Sequence, residues 1–205
     1  MSPAQADHTR PTPDFLDNDF PAGREGLALD IPRLADGAAL WRIARDSRVL
    51  DLNSPYSYLL WCRDYSGTSI VARAASGEPV GFITGYTRPE VPRTLLIWQV
   101  AVDQGQRGRG LAAAMLDALT DRAAREWGVN LVETTVTPDN IASDRLFASF
   151  AARRGAELTR EVLFDAAVFP DGQGHEPEVL YRIGPLTGRD AEEPRGRADR
   201  ATAGR

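Results

Sequence analysis

Two arginines and two glycines stand together in Arg107-Gly108-Arg109-Gly110, immediately before a predicted helix. Glycine permits backbone conformations in which successive N–H groups point into one small volume. A helix N-terminus adds unpaired donors and about half a positive charge, and the two guanidinium groups add full charges. Phosphate oxygens are the acceptors that suit such donors. The segment therefore predicts a loop that binds a pyrophosphate.

The elements around this loop follow from the apolar pattern. The long, almost entirely apolar stretch 93–102 predicts a central strand that leads into the loop, and 111–128 predicts the helix that leaves it. Strands are also predicted at 27–33, 68–75, 80–87, 130–137, 157–165 and 178–183, and helices at 36–46, from Ser54-Pro55 to about Gly67, and at 139–155. This order predicts an α/β fold around a mixed sheet.

Two other interpretations of the loop exist. The first is a plain strand-to-helix turn with solvated arginines. The second is a dinucleotide fingerprint, because Gly108-x-Gly110-x-x-Ala113 fits that pattern and Glu133 follows about twenty residues later. The position in mid-chain, after a predicted hairpin, and the crowding by two arginines argue against the fingerprint.

The pattern Arg107-x-x-Gly110-x-Ala112 resembles the acetyl-CoA loop of the GNAT N-acetyltransferase superfamily, and the similarity extends to the order of elements over residues 26–187. It implies a GNAT fold, α/β, with a mixed, mostly antiparallel sheet of about seven strands, splayed at the central strands and flanked by about four helices. It also implies acetyl-CoA as the co-substrate. The residues implied to bind it are Val100, Val102, Arg107, Gly108, Arg109, Gly110, Leu111, Ala112, Asn140 and Ser143.

The catalytic groups are less well indicated. Many GNAT enzymes carry a tyrosine on the helix after the asparagine, but stretch 145–150 has none, so that proton donor is not transferred. Glu133 and His175 are the candidate bases, since a carboxylate or an imidazole can accept the proton of an attacking amine. The alternatives are a strand position that faces solvent or an arginine partner for Glu133, a solvated loop for His175, and helix capping for Asn140.

The segment VLDLNSPYSYLLWC, residues 49–62, mixes apolar and polar side chains. In GNAT folds this region covers the acceptor side of the sheet, so Asp51, Asn53 and Tyr56 are predicted substrate contacts. Ser54 is predicted to cap the helix, with Pro55 at its first position. Leu59, Leu60 and Trp61 are predicted to bury it.

Four segments together are similar to the enzymes that acetylate L-2,4-diaminobutyrate in ectoine biosynthesis: VLDLNSPYSYLLWCRDY, WQVAVDQGQRGRGLA, TVTPDNIASDRLF and HEPEVLYRI. The similarity implies transfer to the γ-amine and a homodimer. Carboxylates of Asp51 and Glu178 suit ammonium groups, and Trp98 suits an aliphatic chain or a cation. Core packing is the alternative for Trp98, and a solvated loop for Glu178. Another small amine as acceptor, or a sensor that binds acetyl-CoA without catalysis, would also fit the loop.

The amino-acid composition limits which macromolecules and metal ions the chain is expected to bind. The 205 residues carry a formal net charge of −5, which argues against nucleic acid as the main partner. One cysteine and two histidines, Cys62, His8 and His175, leave no internal disulfide and too few ligands for a structural zinc, so no metal is expected and Cys62 is read as a packing residue.

Localisation and domain limits follow from the same survey. No apolar run of about 18 residues or secretory leader is seen, so a cytoplasmic protein without membrane contact is expected. Residues 1–25 and 188–205 are predicted to be disordered tails around one domain at 26–187. All 24 basic residues are arginine.

Overall fold

The computed structural model describes residues 26–170 and 174–186, so the predictions for the two tails concern residues outside this part of the chain. The seven strands are β1 (Leu27–Asp30), β2 (Ile70–Ala74), β3 (Pro79–Arg88), β4 (Val91–Val102), β5 (Leu131–Val136), β6 (Glu157–Phe164) and β7 (Glu178–Gly184). The four helices are α1 (Gly37–Ser47), α2 (Pro55–Asp64), α3 (Leu111–Trp127) and α4 (Ile141–Arg154). The predicted order of elements is confirmed.

The strands are hydrogen-bonded in the order β1-β2-β3-β4-β5-β7-β6. Strand β4 pairs in parallel with β5, and the pairs β1–β2, β2–β3, β5–β7 and β6–β7 are antiparallel. The mixed, mostly antiparallel sheet is therefore confirmed. The parallel ladder covers Thr94–Ile97 and Leu131–Thr134, only part of the 12-residue strand β4, which agrees with the expected splay.

Two compact units make up the chain, and β3 and β4 each contribute residues to both. The first unit comprises the described residues up to Gly85 together with Gln99–Ala118. Leu40, Ile43 and Ala44 lie three and four positions apart on α1 and give it one apolar face. This face is part of a buried cluster, whose other members are Tyr58, Cys62, Val71, Phe82 and Ala101.

Helix α2 is buried on a face that the sequence did not indicate. Tyr58 and Cys62, four residues apart, are 0% and 4% exposed. The prediction of a core made by Leu59, Leu60 and Trp61 is wrong, because Leu59 is 40% exposed and the other two are only partly buried. Cys62 is a packing residue as predicted, and burial raises the pKa of its thiol to about 12.

A buried ion pair organises the start of α1. The guanidinium of Arg73 on β2 donates to both carboxylate oxygens of Asp36 over 2.9 and 2.8 Å, and its Nε donates to Asp30 over 2.9 Å. Burial by itself raises the pKa of Asp36, but the hydrogen bonds from Arg73 and from the backbone N–H of Arg33 outweigh it and leave that pKa below its usual value. Asp36 therefore stays ionised and ties β2 to the turn before the helix.

The second unit comprises Tyr86–Trp98 and the described residues from Leu119 onward. In this unit β5 lies between β4 and β7, and β6 pairs on the other side of β7. Helix α4 ends at Gly155, which has φ +58° and donates to the carbonyls of Ala151 and Ala152. In the described residues no helix is long and apolar enough to cross a membrane.

Candidate active site

The predicted pyrophosphate loop runs from Val102 at the end of β4 to Leu111 at the start of α3. Gly108 and Gly110 have φ values of +75° and +68°, a left-handed conformation that side-chain-bearing residues adopt only with strain. Arg107 donates from Nε to the carbonyl of Val102 over 3.2 Å, and Arg109 donates to the side-chain oxygen of Gln106. The loop is thus folded back on itself, with both arginines exposed.

Leu111 begins α3 and is only 2% exposed, so its side chain anchors the helix in the first unit. Any contact of Leu111 with a ligand therefore comes from its backbone N–H. The neighbouring Ala112 is partly buried. On β4, Val100 and Val102 are partly buried, whereas the alternating residues Gln99 and Ala101 are buried on the other face of the strand.

A cleft of about 640 Å³ adjoins the loop within the first unit. It is lined by Asp46, Ser47, Arg48, Val80, Asp103, Gln104, Gly105, Gln106 and Arg107. Asp103 is paired with Arg42 over 3.0 Å, so its negative charge is already compensated by a neighbouring cation. The lining is polar and carries both signs of charge, which suits a polar ligand more than an apolar one.

The predicted substrate segment has no regular structure until α2 begins at Pro55. Ser54 caps the helix as predicted, because its side chain accepts from the backbone N–H of Ser57. Asp51 is exposed, Asn53 is partly buried and Tyr56 is 66% exposed. Their roles in substrate binding stay predictions.

Tyr58 and Gln99 connect this segment to β4, and sequence reasoning missed both. The Tyr58 hydroxyl donates to Oε1 of Gln99 over 3.0 Å, and Nε2 of Gln99 donates to the backbone carbonyl of Asp51 over 2.9 Å. Burial raises the pKa of Tyr58, and the nearby polar groups of Asn53 and Gln99 offset only part of that effect. The signal in the sequence that could have pointed to this contact is the polar Gln99 within the mostly apolar run that ends β4.

In the second unit, Asn140 caps α4. Its side-chain oxygen accepts from the backbone N–H of Ser143 over 3.1 Å, which is the capping role considered above. Asp144, one residue further, accepts from the Tyr181 hydroxyl over 2.8 Å and from Arg160 over 2.9 Å. Binding of acetyl-CoA by Asn140 and Ser143 stays a prediction beside this structural role.

Glu133 on β5 is 4% exposed and is held by two guanidinium groups. Arg88 donates to one carboxylate oxygen, and Arg182 donates from Nε to the other over 2.9 Å. The alternative of an arginine partner is therefore present in the structure. Because both oxygens already accept charged hydrogen bonds, the geometry favours a positioning role for Glu133 over that of a base.

His175 and Glu178 lie near each other at the entry to β7. Nδ1 of His175 is 2.6 Å from the backbone carbonyl of Glu176, and since a carbonyl only accepts, Nδ1 carries the proton. This leaves the lone pair of the neutral ring on Nε2, which lies 3.9 Å from Oε1 of Glu178. The ring stacks on Phe169 with centroids 3.8 Å apart, so it is held in place and is not a freely solvated side chain.

Trp98 on β4 is 51% exposed, so core packing does not explain it. A substrate contact remains the prediction for this side chain. Among the described residues no group of three or more His, Cys, Asp and Glu side chains is arranged to hold a metal ion.

Comparison with known proteins places the chain in a family. The model of the acetyltransferase (GNAT) family matches residues 38–151. An L-2,4-diaminobutyric acid acetyltransferase from Streptomyces coelicolor is 70% identical over 166 residues, covering 81% of this chain and 97% of that protein. The chain belongs to the GNAT acetyltransferases, among the diaminobutyric acid acetyltransferases.

Two further relatives of this family are more distant. The L-2,4-diaminobutyric acid acetyltransferase of Marinococcus halophilus is 42% identical over 80% of this chain and 92% of that protein. The diaminobutyrate acetyltransferase EctA from Paenibacillus lautus, solved with its substrate L-2,4-diaminobutyric acid and coenzyme A, is also 42% identical. It superposes with a TM-score of 0.74 over 78% of this chain and 96% of that one. The GNAT fold is thereby confirmed.

Proposed function

We propose that the chain transfers the acetyl group of acetyl-CoA to the γ-amine of L-2,4-diaminobutyrate, giving N-γ-acetyl-diaminobutyrate for ectoine biosynthesis. The observation that carries this proposal is the 70% identity with the Streptomyces coelicolor enzyme over nearly its whole length. The arginine- and glycine-containing loop before α3 supports it, because exposed guanidinium groups and backbone donors suit the pyrophosphate of the co-substrate.

The reaction moves one acetyl group and one proton. The neutral amine nitrogen attacks the thioester carbon, a C–N bond forms, the C–S bond breaks, and the ammonium proton is lost as the thiolate gains one. An alkyl ammonium has a pKa near 10, so removing its proton at pH 7 costs about 4 kcal/mol. The protein must therefore offer an acceptor for that proton or a site that favours the neutral amine.

His175 is the better placed of the two candidate bases. When the ring is neutral, the carbonyl of Glu176 keeps the proton on Nδ1 and leaves Nε2 as the acceptor, and the stacked Phe169 fixes the plane of the ring. Glu178 beside it supplies a carboxylate that can bind an ammonium group of the substrate. In this proposal His175 accepts the amine proton, and Asp51, Asn53, Tyr56, Trp98 and Glu178 bind the diamino acid.

A homodimer in the cytoplasm completes the proposal. Strand β6 is an edge strand of the sheet. Its residues Val162, Leu163 and Phe164 are 60%, 42% and 48% exposed. Three adjacent exposed apolar residues on such a strand favour a protein partner. The single, buried Cys62 suits a reducing compartment.

A steady-state assay of CoA release with diaminobutyrate, ornithine and lysine as acceptors tests the activity. Release that depends on diaminobutyrate is expected, and acetyl-CoA binding without any amine-dependent release would identify a sensor instead. NMR and mass spectrometry of the product decide the regiochemistry, and an α-acetylated product would contradict the ectoine assignment.

A further inference from the structure

Two hydrogen bonds in series join the segment before α2, helix α2 itself and strand β4 through two buried side chains. Tyr58 is 0% exposed and Gln99 is 6% exposed. The Tyr58 hydroxyl donates to Gln99 Oε1 over 3.0 Å, and Gln99 Nε2 donates to the Asp51 carbonyl over 2.9 Å. Asn53 lies close enough to the Tyr58 hydroxyl to lower the pKa of that group. We call Tyr58 and Gln99 the clamp.

The clamp has one self-consistent arrangement of protons. The Asp51 carbonyl only accepts, so Gln99 must present its amide nitrogen there and its amide oxygen to Tyr58. That oxygen only accepts, so Tyr58 must donate. The phenol keeps its proton because burial raises the pKa of Tyr58. The backbone carbonyl of Asp51 is thus held by a Gln99 side chain whose orientation is fixed by Tyr58.

The held residue, Asp51, is one of the three predicted acceptor contacts in this segment, and Asn53 follows it two positions later. The segment lacks the backbone ladder of a helix or strand, and Asp51 itself is exposed. A side chain that must meet an ammonium group needs a defined position, because a displacement of about 1 Å at a binding group costs much of its effect. The clamp contributes to this defined position through the backbone carbonyl of Asp51.

We propose that Tyr58 and Gln99 are positioning residues for the acceptor: they hold the backbone of Asp51, and with it the start of segment 51–53, and thereby set the affinity for diaminobutyrate without touching it. This inference rests on the proposed function. Loss of the clamp then weakens ground-state binding of the amine, which raises the KM for diaminobutyrate and leaves kcat and the KM for acetyl-CoA nearly unchanged.

Tyr58→Phe removes only the hydroxyl, and Gln99→Met keeps the length of the side chain but removes both hydrogen-bonding groups. We expect each to raise the KM for diaminobutyrate about tenfold, with the KM for acetyl-CoA changed less than about twofold. The double variant should be no worse than Gln99→Met alone, since Gln99 belongs to both hydrogen bonds. Ile43→Val is the matched control, because it removes a buried methyl group from the cluster that contains Tyr58 and leaves the clamp intact.

Amide hydrogen exchange of a peptide covering residues 49–54 gives a second readout that needs no substrate. Faster exchange in both clamp variants, but not in Ile43→Val, together with the selective rise in KM supports the proposal. Unchanged exchange overturns the clamp, and faster exchange with an unchanged KM for diaminobutyrate overturns its role in acceptor binding. An equal rise of both KM values also overturns it, because the variants would then disturb β4 as a whole.

The proposed function fails separately. If the unmodified chain does not acetylate diaminobutyrate, the activity assignment is lost while the exchange experiment still decides whether the clamp holds the segment. If the unmodified chain is active but amide exchange is unchanged in the clamp variants, the activity assignment stands and the clamp is lost.

Discussion

Arg182 and Glu133 are direct partners across β5 and β7, with Nε of the arginine 2.9 Å from Oε1 of the carboxylate. Arg88 holds the second oxygen of the same side chain. The Glu133 carboxylate is buried, whereas the two guanidinium groups are 40% and 45% exposed. One buried anion thus orients two partly exposed cations.

Replacing Glu133 by Gln tests this arrangement against catalysis. We expect a loss of about 1–3 kcal/mol in the free energy of unfolding, measured by urea denaturation, because one charged partner of both arginines is lost. The acid limb of the kcat/KM profile should be unchanged. Glu161→Gln is the control, since it removes an exposed partner of Arg182 and should cost less than about 1 kcal/mol. A fall in kcat of about 100-fold with loss of the acid limb would restore Glu133 as the base.

Arg109→Ala tests the loop. It removes an exposed cation beside Gly108 and Gly110, so we expect the KM for acetyl-CoA to rise about tenfold with little change in stability. Steady-state kinetics at saturating diaminobutyrate give the value. The control is Arg125→Ala, which removes an exposed arginine from the last turn of α3, and it should leave the KM for acetyl-CoA unchanged. Equal behaviour of the two variants would remove the pyrophosphate role.

Two variants of Asn140 distinguish its role in helix capping from a role in cofactor binding. Asn140→Ala should cost about 1 kcal/mol in the free energy of unfolding, because the backbone N–H of Ser143 loses its acceptor, whereas Asn140→Asp keeps the cap. We expect both variants to raise the KM for acetyl-CoA, since the aspartate lacks the amide donor. An aspartate variant with the original KM would reduce Asn140 to a cap.

Asp51→Asn tests recognition of the acceptor. Loss of the carboxylate charge is expected to raise the KM for diaminobutyrate about tenfold or more and to leave the KM for acetyl-CoA nearly constant. Asp64→Asn, an exposed carboxylate at the other end of α2 that pairs with Arg63, controls for a change of net charge. If both KM values move together in Asp51→Asn, the carboxylate is structural.

Asp36 makes the stability of the first unit depend on pH. Burial raises the pKa of Asp36, but the hydrogen bonds of Arg73 and Arg33 outweigh it, and the net shift is downward. The folded state therefore binds this proton less well than the unfolded chain, and the contribution is fully present above the unfolded pKa of about 3.9. It is lost as the pH falls below that value towards the lower folded pKa.

The matching variant is Asp36→Asn, which leaves Arg73 as a buried cation with only Asp30 as a charged partner. We expect a loss of about 3–5 kcal/mol in urea unfolding at pH 7, with a smaller loss at pH 3. Asp46→Asn, which removes an exposed carboxylate near the end of α1, should show neither effect. A loss that does not change with pH would contradict the ionised pair.

The elements were predictable because their ends carry local signals. Ser54-Pro55 begins α2, Gly155 ends α4, and the apolar run before the loop is a central strand. The buried face of α2 was not predictable, because the apolar run from Tyr58 to Cys62 covers every side of a helix and gives no preferred stripe.

The contacts within the candidate site were predictable only where they are local. His175 and Glu178 are three residues apart, and their proximity follows from the sequence. Glu133 meets Arg88 and Arg182 across 45 and 49 residues, and Tyr58 meets Gln99 across 41. These contacts arise from the pairing of strands and the packing of α2. Local sequence patterns therefore do not reveal them.

The ion pairs of this fold, from Arg73–Asp36 to Arg182–Glu133, use guanidinium groups, and the 205 residues contain no lysine. Guanidinium stays protonated and is a poor nucleophile, whereas a lysine ammonium readily loses its proton when its surroundings change. A protein that handles a reactive thioester therefore carries no lysine ε-amine that could be acylated in place of its acceptor. Its side-chain cations keep their charge however high the acetyl-CoA concentration rises.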